Sequence, residues 1–176
     1  MKLEEIEALI THTPDFPIPN ILFHDIFPIL QNPKAFRGLL QHILKHIKDS
    51  KLKVDCIVAL DARGFLFGPY LALELEVPFV PIRKKGKLPP PTLVQTYTKE
   101  YGVDSFEMSS NALKAGLQCL IVDDLLATGG SAKAACELVK QAKAEVSECV
   151  FLVELEELKG KGFVGATCWS VWKYPY

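Results

Sequence analysis

Hydrophobic positions along the chain follow two spacings, one typical of buried strands and the other of amphipathic helices. Short apolar runs rich in β-branched residues predict strands at residues 54–60, 77–82, 118–122 and 146–153. Helical spacing predicts helices between them, at residues 65–75 and 131–143. Strands that alternate with helices form a mainly parallel, twisted sheet with helices on both faces. We therefore predict an α/β fold that binds ligands beyond the C-terminal ends of its strands.

The N-terminal third of the chain combines a helix pattern with a loop that cannot be helical. Residues 36–47 repeat apolar side chains at helical spacing, and Asn32 before them is a suitable N-cap. Three prolines within residues 14–20 remove backbone donors and fix φ, which predicts an ordered surface loop. The apolar run that follows contains Phe23 and Phe27, and composition alone places both in the core.

A loop of small residues leads from the third predicted strand into the helix behind it. Gly129 and Gly130 can expose backbone N–H groups next to Ala127, and Thr128 and Ser131 add hydroxyl donors. The N-terminus of the helix adds a positive dipole end. These features are typical of a loop that binds phosphate, although a turn with a helix N-cap would explain this loop taken alone.

Two adjacent carboxylates, Asp123 and Asp124, stand between that strand and the loop. Neighbouring side chains at a strand end point to opposite faces, so at least one carboxylate can accept hydrogen bonds from a sugar diol. A diol site beside a phosphate site indicates a ribose 5-phosphate ligand.

A second loop, residues 60–65, follows the first predicted strand and carries Arg63 and Gly64. A guanidinium and exposed backbone donors can bind an anion, bidentate where the geometry allows. Taken alone, this loop is better explained as a plain turn with Arg63 in solvent.

A basic and proline-rich insertion interrupts the alternation of strands and helices. Residues 83–87 are a dense basic cluster, and residues 88–91 end regular structure with consecutive prolines. Charge and glycine beside a nucleotide site are typical of a mobile lid that excludes water, which we assign to residues 84–107. A solvated basic loop is the alternative.

Residues 120–131 resemble the phosphoribosyl-diphosphate (PRPP) signature of the type I phosphoribosyltransferases, with Ser131 where the family usually has threonine. Further collinear stretches extend the resemblance over most of residues 14–158 and narrow it to the members that act on adenine: residues 23–26, 60–69, 82–89 and 100–102. The resemblance implies one phosphoribosyltransferase domain over residues 1–176, with the mobile lid and a small N-terminal hood at residues 1–32 that binds the base. It also implies purine salvage, in which 5-phosphoribosyl passes from PRPP to adenine, giving AMP and pyrophosphate.

The resemblance further implies a role for each candidate site residue. The catalytic residues would be Glu100, which helps manage the proton as adenine N9 attacks, with Arg63 and Asp124. Substrate contacts would comprise the purine-side residues Phe23, His24 and Tyr101, the cations Arg63, Arg83, Lys84 and Lys87, the ribose carboxylates Asp123 and Asp124, and the phosphate loop Ala127, Thr128, Gly129, Gly130 and Ser131. Mg²⁺ would be bound through the PRPP diphosphate and water, with no direct protein ligand.

Some positions depart from the family pattern. His24 stands where arginine is common, Asn20 where glycine is common, and Pro90 where the lid often has glycine. Backbone groups that read the purine edge would make the change at His24 harmless. Pro90 removes backbone freedom, a change that can slow the motion of the lid.

Composition narrows the class of protein further. With 176 residues, 49% hydrophobic content and a net charge of −1, the chain fits one globular domain whose main function is not polyanion binding. The first ten residues form an acidic amphipathic pattern rather than a signal peptide. Five isolated cysteines in apolar contexts favour buried thiols in a reducing compartment, so we expect a cytoplasmic protein. The family habit implies a homodimer.

One further motif has the spacing of a dinucleotide-binding loop. Residues 160–165 satisfy GxGxxG, but residues 166–171 after them predict a strand. A dinucleotide site needs this motif between a strand and a helix. We therefore reject a dinucleotide site at these glycines.

Two rival functions remain open at this point. A phosphoribosyltransferase for 6-oxopurines would differ only in how the base edge is read. A non-catalytic PRPP-binding regulator would need a DNA- or partner-binding module, for which the chain offers neither spare length nor a basic recognition helix.

Overall fold

The structure is a computed structural model that describes residues 1–99 and 102–175. The chain divides into two compact units, residues 1–51 and 52–175. The first unit contains the elements α1 (Leu3–Glu7), β1 (Thr11–Pro14), β2 (Leu22–Asp25), α2 (Phe27–Leu30) and α3 (Pro33–Asp49). Within the described residues of the chain, no helix is both long and apolar enough to cross a membrane.

In the first unit, α3 forms as its sequence predicts. The Asn32 side chain accepts hydrogen bonds from the backbone N–H groups of Lys34 and Ala35, so the predicted N-cap is confirmed. Helix α1 is shorter than the pattern of the first ten residues predicts, and Thr11 to Pro14 pair antiparallel with β2. The expectation that Phe27 lies in the core is wrong, since this residue begins α2 with 45% of its surface exposed.

The second unit is built around one sheet. Its elements are β3 (Cys56–Leu60), a 3₁₀ helix (Arg63–Leu66), α4 (Gly68–Glu74), β4 (Phe79–Lys84), β5 (Thr92–Lys99), β6 (Gly102–Ser109), β7 (Gln118–Leu126), α5 (Gly130–Gln141), β8 (Glu145–Leu155), a 3₁₀ helix (Glu156–Leu158), α6 (Lys161–Val164) and β9 (Cys168–Tyr174). The sheet order is β5-β6-β4-β3-β7-β8-β9. Strands β4, β3, β7, β8 and β9 are parallel, whereas β5 and β6 join as an antiparallel hairpin.

Helices cover both faces of this sheet. Val58 and Ile121 share a buried cluster with Leu138 of α5. Ala59 points to the opposite face, where Gly68 of α4 comes so close that a Cβ there would lie 2.8 Å from the Ala59 methyl group. The predicted α/β fold with a mainly parallel sheet is therefore confirmed. The parallel strands end at one edge, which brings the loops after β3 and β7 together.

The predicted lid segment contains more regular structure than its proline run suggests. Residues 85–91 lie outside the strands, but β5 and β6 pair from Thr92↔Ser109 to Lys99↔Gly102. Tyr97 stacks on Phe106 with ring centroids 4.9 Å apart, and both rings belong to the buried cluster. Strand β6 went unpredicted, and the mobility of residues 84–107 stays a prediction.

Candidate active site

A cavity of about 190 Å³ lies at the C-terminal end of β7. Its lining consists of Arg63, Asp123, Asp124, Leu125, Leu126, Ala127, Thr128, Gly129, Gly130, Ser131 and Ala132. The loop after β3, the acidic pair and the loop before α5 therefore meet around one space. Every predicted site residue from these three stretches lines it.

The two carboxylates stand inside β7 rather than after its end. The predicted strand end at Val122 is wrong, because Asp123 pairs with Phe151 of β8 and the ladder continues to Leu126. Asp124 is only 7% exposed, and the Nε of Arg63 donates to its Oδ2 at 2.7 Å. Asp123 Oδ1 accepts a hydrogen bond from the Asp124 N–H at 2.9 Å. Strand β7 therefore places two carboxyl groups at the edge of the hydrophobic core.

Burial determines the electrostatics of this acidic pair. It raises the pKa of Asp123 well above the usual range, and the neighbouring Asp124 raises it further. Burial also raises the pKa of Asp124, although the Arg63 guanidinium opposes that shift. A ligand that donates hydrogen bonds to these oxygens, as a sugar diol does, would favour their charged form.

The loop before α5 is shaped by glycine. Gly129 has φ of +85°, a left-handed conformation, and a Cβ on it would lie 2.5 Å from the Gly160 carbonyl oxygen. Helix α5 begins at Gly130, one residue before the predicted start, and the Gly129 carbonyl accepts the Lys133 N–H at 2.9 Å. The loop thus runs directly into the N-terminus of a twelve-residue helix, where N–H groups and the helix dipole favour an anion.

The loop after β3 lies against β7. Gly64 makes this possible, since a Cβ there would lie 2.5 Å from the Val122 carbonyl oxygen. The predicted helix at residues 65–75 is a 3₁₀ turn from Arg63 to Leu66 followed by α4 from Gly68. The 3₁₀ turn begins at Arg63 and directs its guanidinium to Asp124.

The other predicted cations do not line the cavity. Arg83 donates to Oδ2 of Asp61, which belongs to the Arg63 loop, at 3.0 Å, and to the Lys87 carbonyl oxygen at 3.3 Å. Lys84 pairs with Asp104 at 3.5 Å. These contacts hold Arg83 and Lys84 on acidic neighbours.

Three acidic partners of the basic segment were missed by the sequence reasoning. Glu107 Oε1 accepts the backbone N–H groups of Lys87 and Leu88, each at 2.7 Å, while Asp61 and Asp104 bind cations. Polar Glu107 between apolar Phe106 and Met108 was the signal for a strand at this position, whereas Asp104 gave none. Asp61 gave no signal beyond its place in the Arg63 loop.

In the first unit, the predicted base-binding residues are held by local contacts. Phe23 packs edge to face on Phe16, with ring centroids 5.1 Å apart. The Nδ1 atoms of His12 and His24 lie 2.8 Å apart. Burial lowers the pKa of His24, and the charge of the neighbouring His12 lowers it further. Asn20 has φ of +67°, a conformation that asparagine tolerates, which accounts for asparagine where the family has glycine.

Glu100 and Tyr101, predicted for catalysis and substrate contact, lie outside the described residues. Their roles stay predictions.

The chain is similar to known proteins over most of its length. A family model described as a phosphoribosyl transferase domain matches residues 28–173. The adenine phosphoribosyltransferase of Mastomys natalensis is 52% identical over 165 residues, which cover 93% of this chain and 92% of that protein. The Saccharomyces cerevisiae adenine phosphoribosyltransferase, solved with D-2,5-dideoxy-2,5-imino-altritol 1,6-bisphosphate and adenine, is similar with a TM-score of 0.94 and 46% identity, covering 97% of this chain and 98% of that one.

A more distant solved structure is the adenine phosphoribosyltransferase of Trypanosoma brucei, in complex with AMP, pyrophosphate and ribose-5-phosphate. It is similar with a TM-score of 0.86 and 27% identity, covering 97% of this chain and 78% of that one. The similarity therefore extends over nearly the whole chain rather than over the loops alone.

We expect Asp123→Asn to raise stability, because it replaces a half-buried carboxyl group whose charged form is disfavoured by burial and by Asp124, which raise its pKa. In the wild type the folded pair keeps a proton that the unfolded chain has lost, so the free energy of unfolding falls as pH rises above about 4. In the variant, the free energy of unfolding should fall less steeply with pH. At pH 7 it should be larger by on the order of 1 kcal/mol, which corresponds to about 2–4 °C in Tm. Urea and thermal unfolding between pH 4 and 8 measure both.

The control is Asp49→Asn on α3. Asp49 is exposed, and its hydrogen bond with Lys45 lowers its pKa, so this variant should not be stabilised at any pH. Equal behaviour of the two variants would contradict a raised pKa at Asp123.

Proposed function

The chain belongs to the adenine phosphoribosyltransferases, and we propose that the cavity beside β7 is where it binds PRPP. The enzyme acts in purine salvage and transfers 5-phosphoribosyl from PRPP to adenine, giving AMP and pyrophosphate. The observation that supports this location is the meeting of a guanidinium, an acidic pair and a helix N-terminus around one space.

The ribose 5-phosphate half of PRPP would occupy the loop and the acidic pair. Backbone N–H groups from Ala127 to Ser131, with the Thr128 and Ser131 hydroxyls, bind the 5-phosphate at the start of α5. Asp123 and Asp124 accept hydrogen bonds from the ribose hydroxyls. This order fits the cavity, because the acidic pair and the loop are consecutive along its wall.

The leaving group would lie toward the cations of the neighbouring loops. Arg63 lines the cavity. Arg83, near the end of β4, donates to the Lys87 carbonyl oxygen, and Lys84 ends that strand. As the bond to pyrophosphate breaks, negative charge grows on the leaving oxygens, and fixed cations in a site that excludes water stabilise that charge. The same bond breaking gives the sugar positive oxocarbenium character, which the carboxylate of Asp124 stabilises.

Mg²⁺ fits this site as an ion carried by the substrate. Within residues 1–99 and 102–175, no group of three His, Cys, Asp or Glu side chains could hold a metal ion. Mg²⁺ needs no such group, because phosphate oxygens and water readily supply its ligands. Bound to the diphosphate, Mg²⁺ would neutralise part of the negative charge that Arg63 and the neighbouring cations also stabilise.

The base would be held by the hood, residues 1–32. Phe23 stacks on the purine, His24 stands beside it, and backbone groups read the purine edge. Tyr101 contacts substrate from the lid, and Glu100 contacts the imidazole side of adenine and manages the proton as N9 attacks. The lid, residues 84–107, closes over the phosphates and excludes water during transfer.

We also place the enzyme in the cytoplasm as a homodimer. Buried free thiols, such as those of Cys136 and Cys149, are typical of a reducing compartment. The homodimer is proposed from the family resemblance. Light scattering of the purified enzyme tests the dimer, and a monomer at working concentration would exclude it.

The rival functions have less support. The relatives at about half identity are named for adenine, which does not favour a 6-oxopurine enzyme. A regulator without catalysis is also not favoured, since relatives at about half identity over most of the chain are named as adenine phosphoribosyltransferases.

Product formation from separate purines tests the function directly. With PRPP and Mg²⁺ supplied, we expect AMP from adenine and no nucleotide from hypoxanthine or guanine. Chromatography of the products identifies the nucleotide. Nucleotide formed from hypoxanthine or guanine instead of adenine would establish the 6-oxopurine enzyme, and PRPP binding without any product would establish the regulator.

Glu100→Gln tests the proton role that we assign to Glu100. A positioned acid or base contributes about 10²- to 10⁴-fold, so we expect turnover to fall by that factor. Initial rates at saturating adenine and PRPP measure the effect. The control is Glu74→Gln on the exposed side of α4, which should keep the wild-type rate. Turnover of Glu100→Gln within about threefold of wild type would remove Glu100 from the mechanism.

A further inference from the structure

The first glycine of the rejected GxGxxG motif lies against the phosphate loop. A Cβ on Gly160 would stand 2.0 Å from the Ala127 carbonyl oxygen, 2.8 Å from the Gly129 nitrogen and 2.8 Å from the Thr128 carbonyl carbon. All three atoms are backbone, so no side-chain rotation could make room. We infer that Gly160 is a positioning residue, which fixes the Thr128–Gly129 peptide in its phosphate-binding geometry without touching the ligand.

The contact is reciprocal. A Cβ on Gly129 would lie 2.5 Å from the Gly160 carbonyl oxygen and 3.2 Å from Val164 Cγ2. Each backbone thus occupies the space that a side chain on the other would need. Two glycines are required at this contact for different reasons, since Gly129 also has positive φ whereas Gly160 has φ of −57°.

The segment behind Gly160 is itself fixed. The Gly160 carbonyl accepts the N–H groups of Phe163 at 2.8 Å and Val164 at 3.2 Å, which forms the turn of α6. Val164 is 1% exposed and belongs to the same buried cluster as Ala132 of α5. The phosphate loop therefore has the cavity on one side and a packed backbone wall on the other.

Small displacements of this loop matter for binding. Phosphate oxygens need N–H donors within a narrow range, about 2.7–3.2 Å, and a 1 Å misplacement can cost about 10²-fold in rate. Relief of a 2.0 Å contact with the Ala127 carbonyl requires a shift of that size. Since the inference rests on the proposed assignment of the loop to the 5-phosphate, its test must separate the two.

The chain provides a matched control within the same motif. A Cβ on Gly162 would meet no atom within 4 Å, and Gly162 is absent from the glycines with positive φ in the described chain. Gly162→Ala therefore adds the same methyl group two residues from Gly160 without touching the loop.

The experiment compares Gly160→Ala, Gly162→Ala and Thr128→Ala. For Gly160→Ala we expect the Kd of ribose 5-phosphate and the KM of PRPP to rise about tenfold or more, with the KM of adenine within about twofold of wild type. Calorimetry and initial rates measure these values, and Gly162→Ala should match wild type. A merely structural role of Gly160 would reduce the fraction of active enzyme and leave the KM of PRPP unchanged, which would overturn the inference.

Thr128→Ala separates this inference from the site assignment. If Thr128→Ala weakens ribose 5-phosphate binding and Gly160→Ala does not, only the role of Gly160 fails. If neither variant changes the affinity, the phosphate loop itself is misassigned and both proposals fail.

Hydrogen exchange on the wild-type enzyme covers the case in which Gly160→Ala does not fold. Ribose 5-phosphate bound to the loop should slow exchange at the N–H groups of Phe163 and Val164, which bond to the Gly160 carbonyl. Unchanged exchange at both amides, with slowed exchange in the loop, would contradict the inference that Gly160 and the phosphate loop are coupled.

Discussion

The ion pair between Arg63 and Asp124 joins the parts on which the site depends. It connects the loop after β3 to β7, and it forms because Gly64 lets the two backbones approach within van der Waals distance. A charge as buried as that of Asp124 needs a partner, since an isolated buried carboxylate is strongly destabilising. This pairing positions the part of the cavity wall that Arg63 and Asp124 form.

The same pair explains how a charged ligand can enter without leaving a buried charge alone. Asp124 has Arg63 as its partner in this structure, and the burial that raises the pKa of the acidic pair also disfavours two free carboxylates. In the site that we propose, PRPP would supply hydroxyl donors for the carboxylates and an anionic diphosphate for the guanidinium. Arg63 and Asp124 would then each exchange the other for a group of the ligand, so neither charge would be left without a hydrogen-bonding partner.

The sequence allowed much of the fold and the site to be predicted, because both depend on local patterns. The period of apolar residues predicted the parallel strands, and the pattern of residues 123–131 predicted side chains and backbone that the structure brings together around one cavity. Strand β7 was predicted too short, since two carboxylates look like a strand end although they continue the ladder with β8. The hairpin partner β6 was missed beside a proline-rich segment, and with it Glu107, which binds the backbone after Arg83.

Contacts between backbones could not be predicted, because they leave no pattern of side chains to read. Gly160 and Gly129 are 31 residues apart, and neither shows in the sequence that it faces the other. The GxGxxG spacing is real, but the reason for its first glycine is steric fit against a neighbouring loop rather than a bound dinucleotide. A glycine motif therefore indicates close approach of something to the backbone, and only the fold determines whether that is a ligand or another part of the chain.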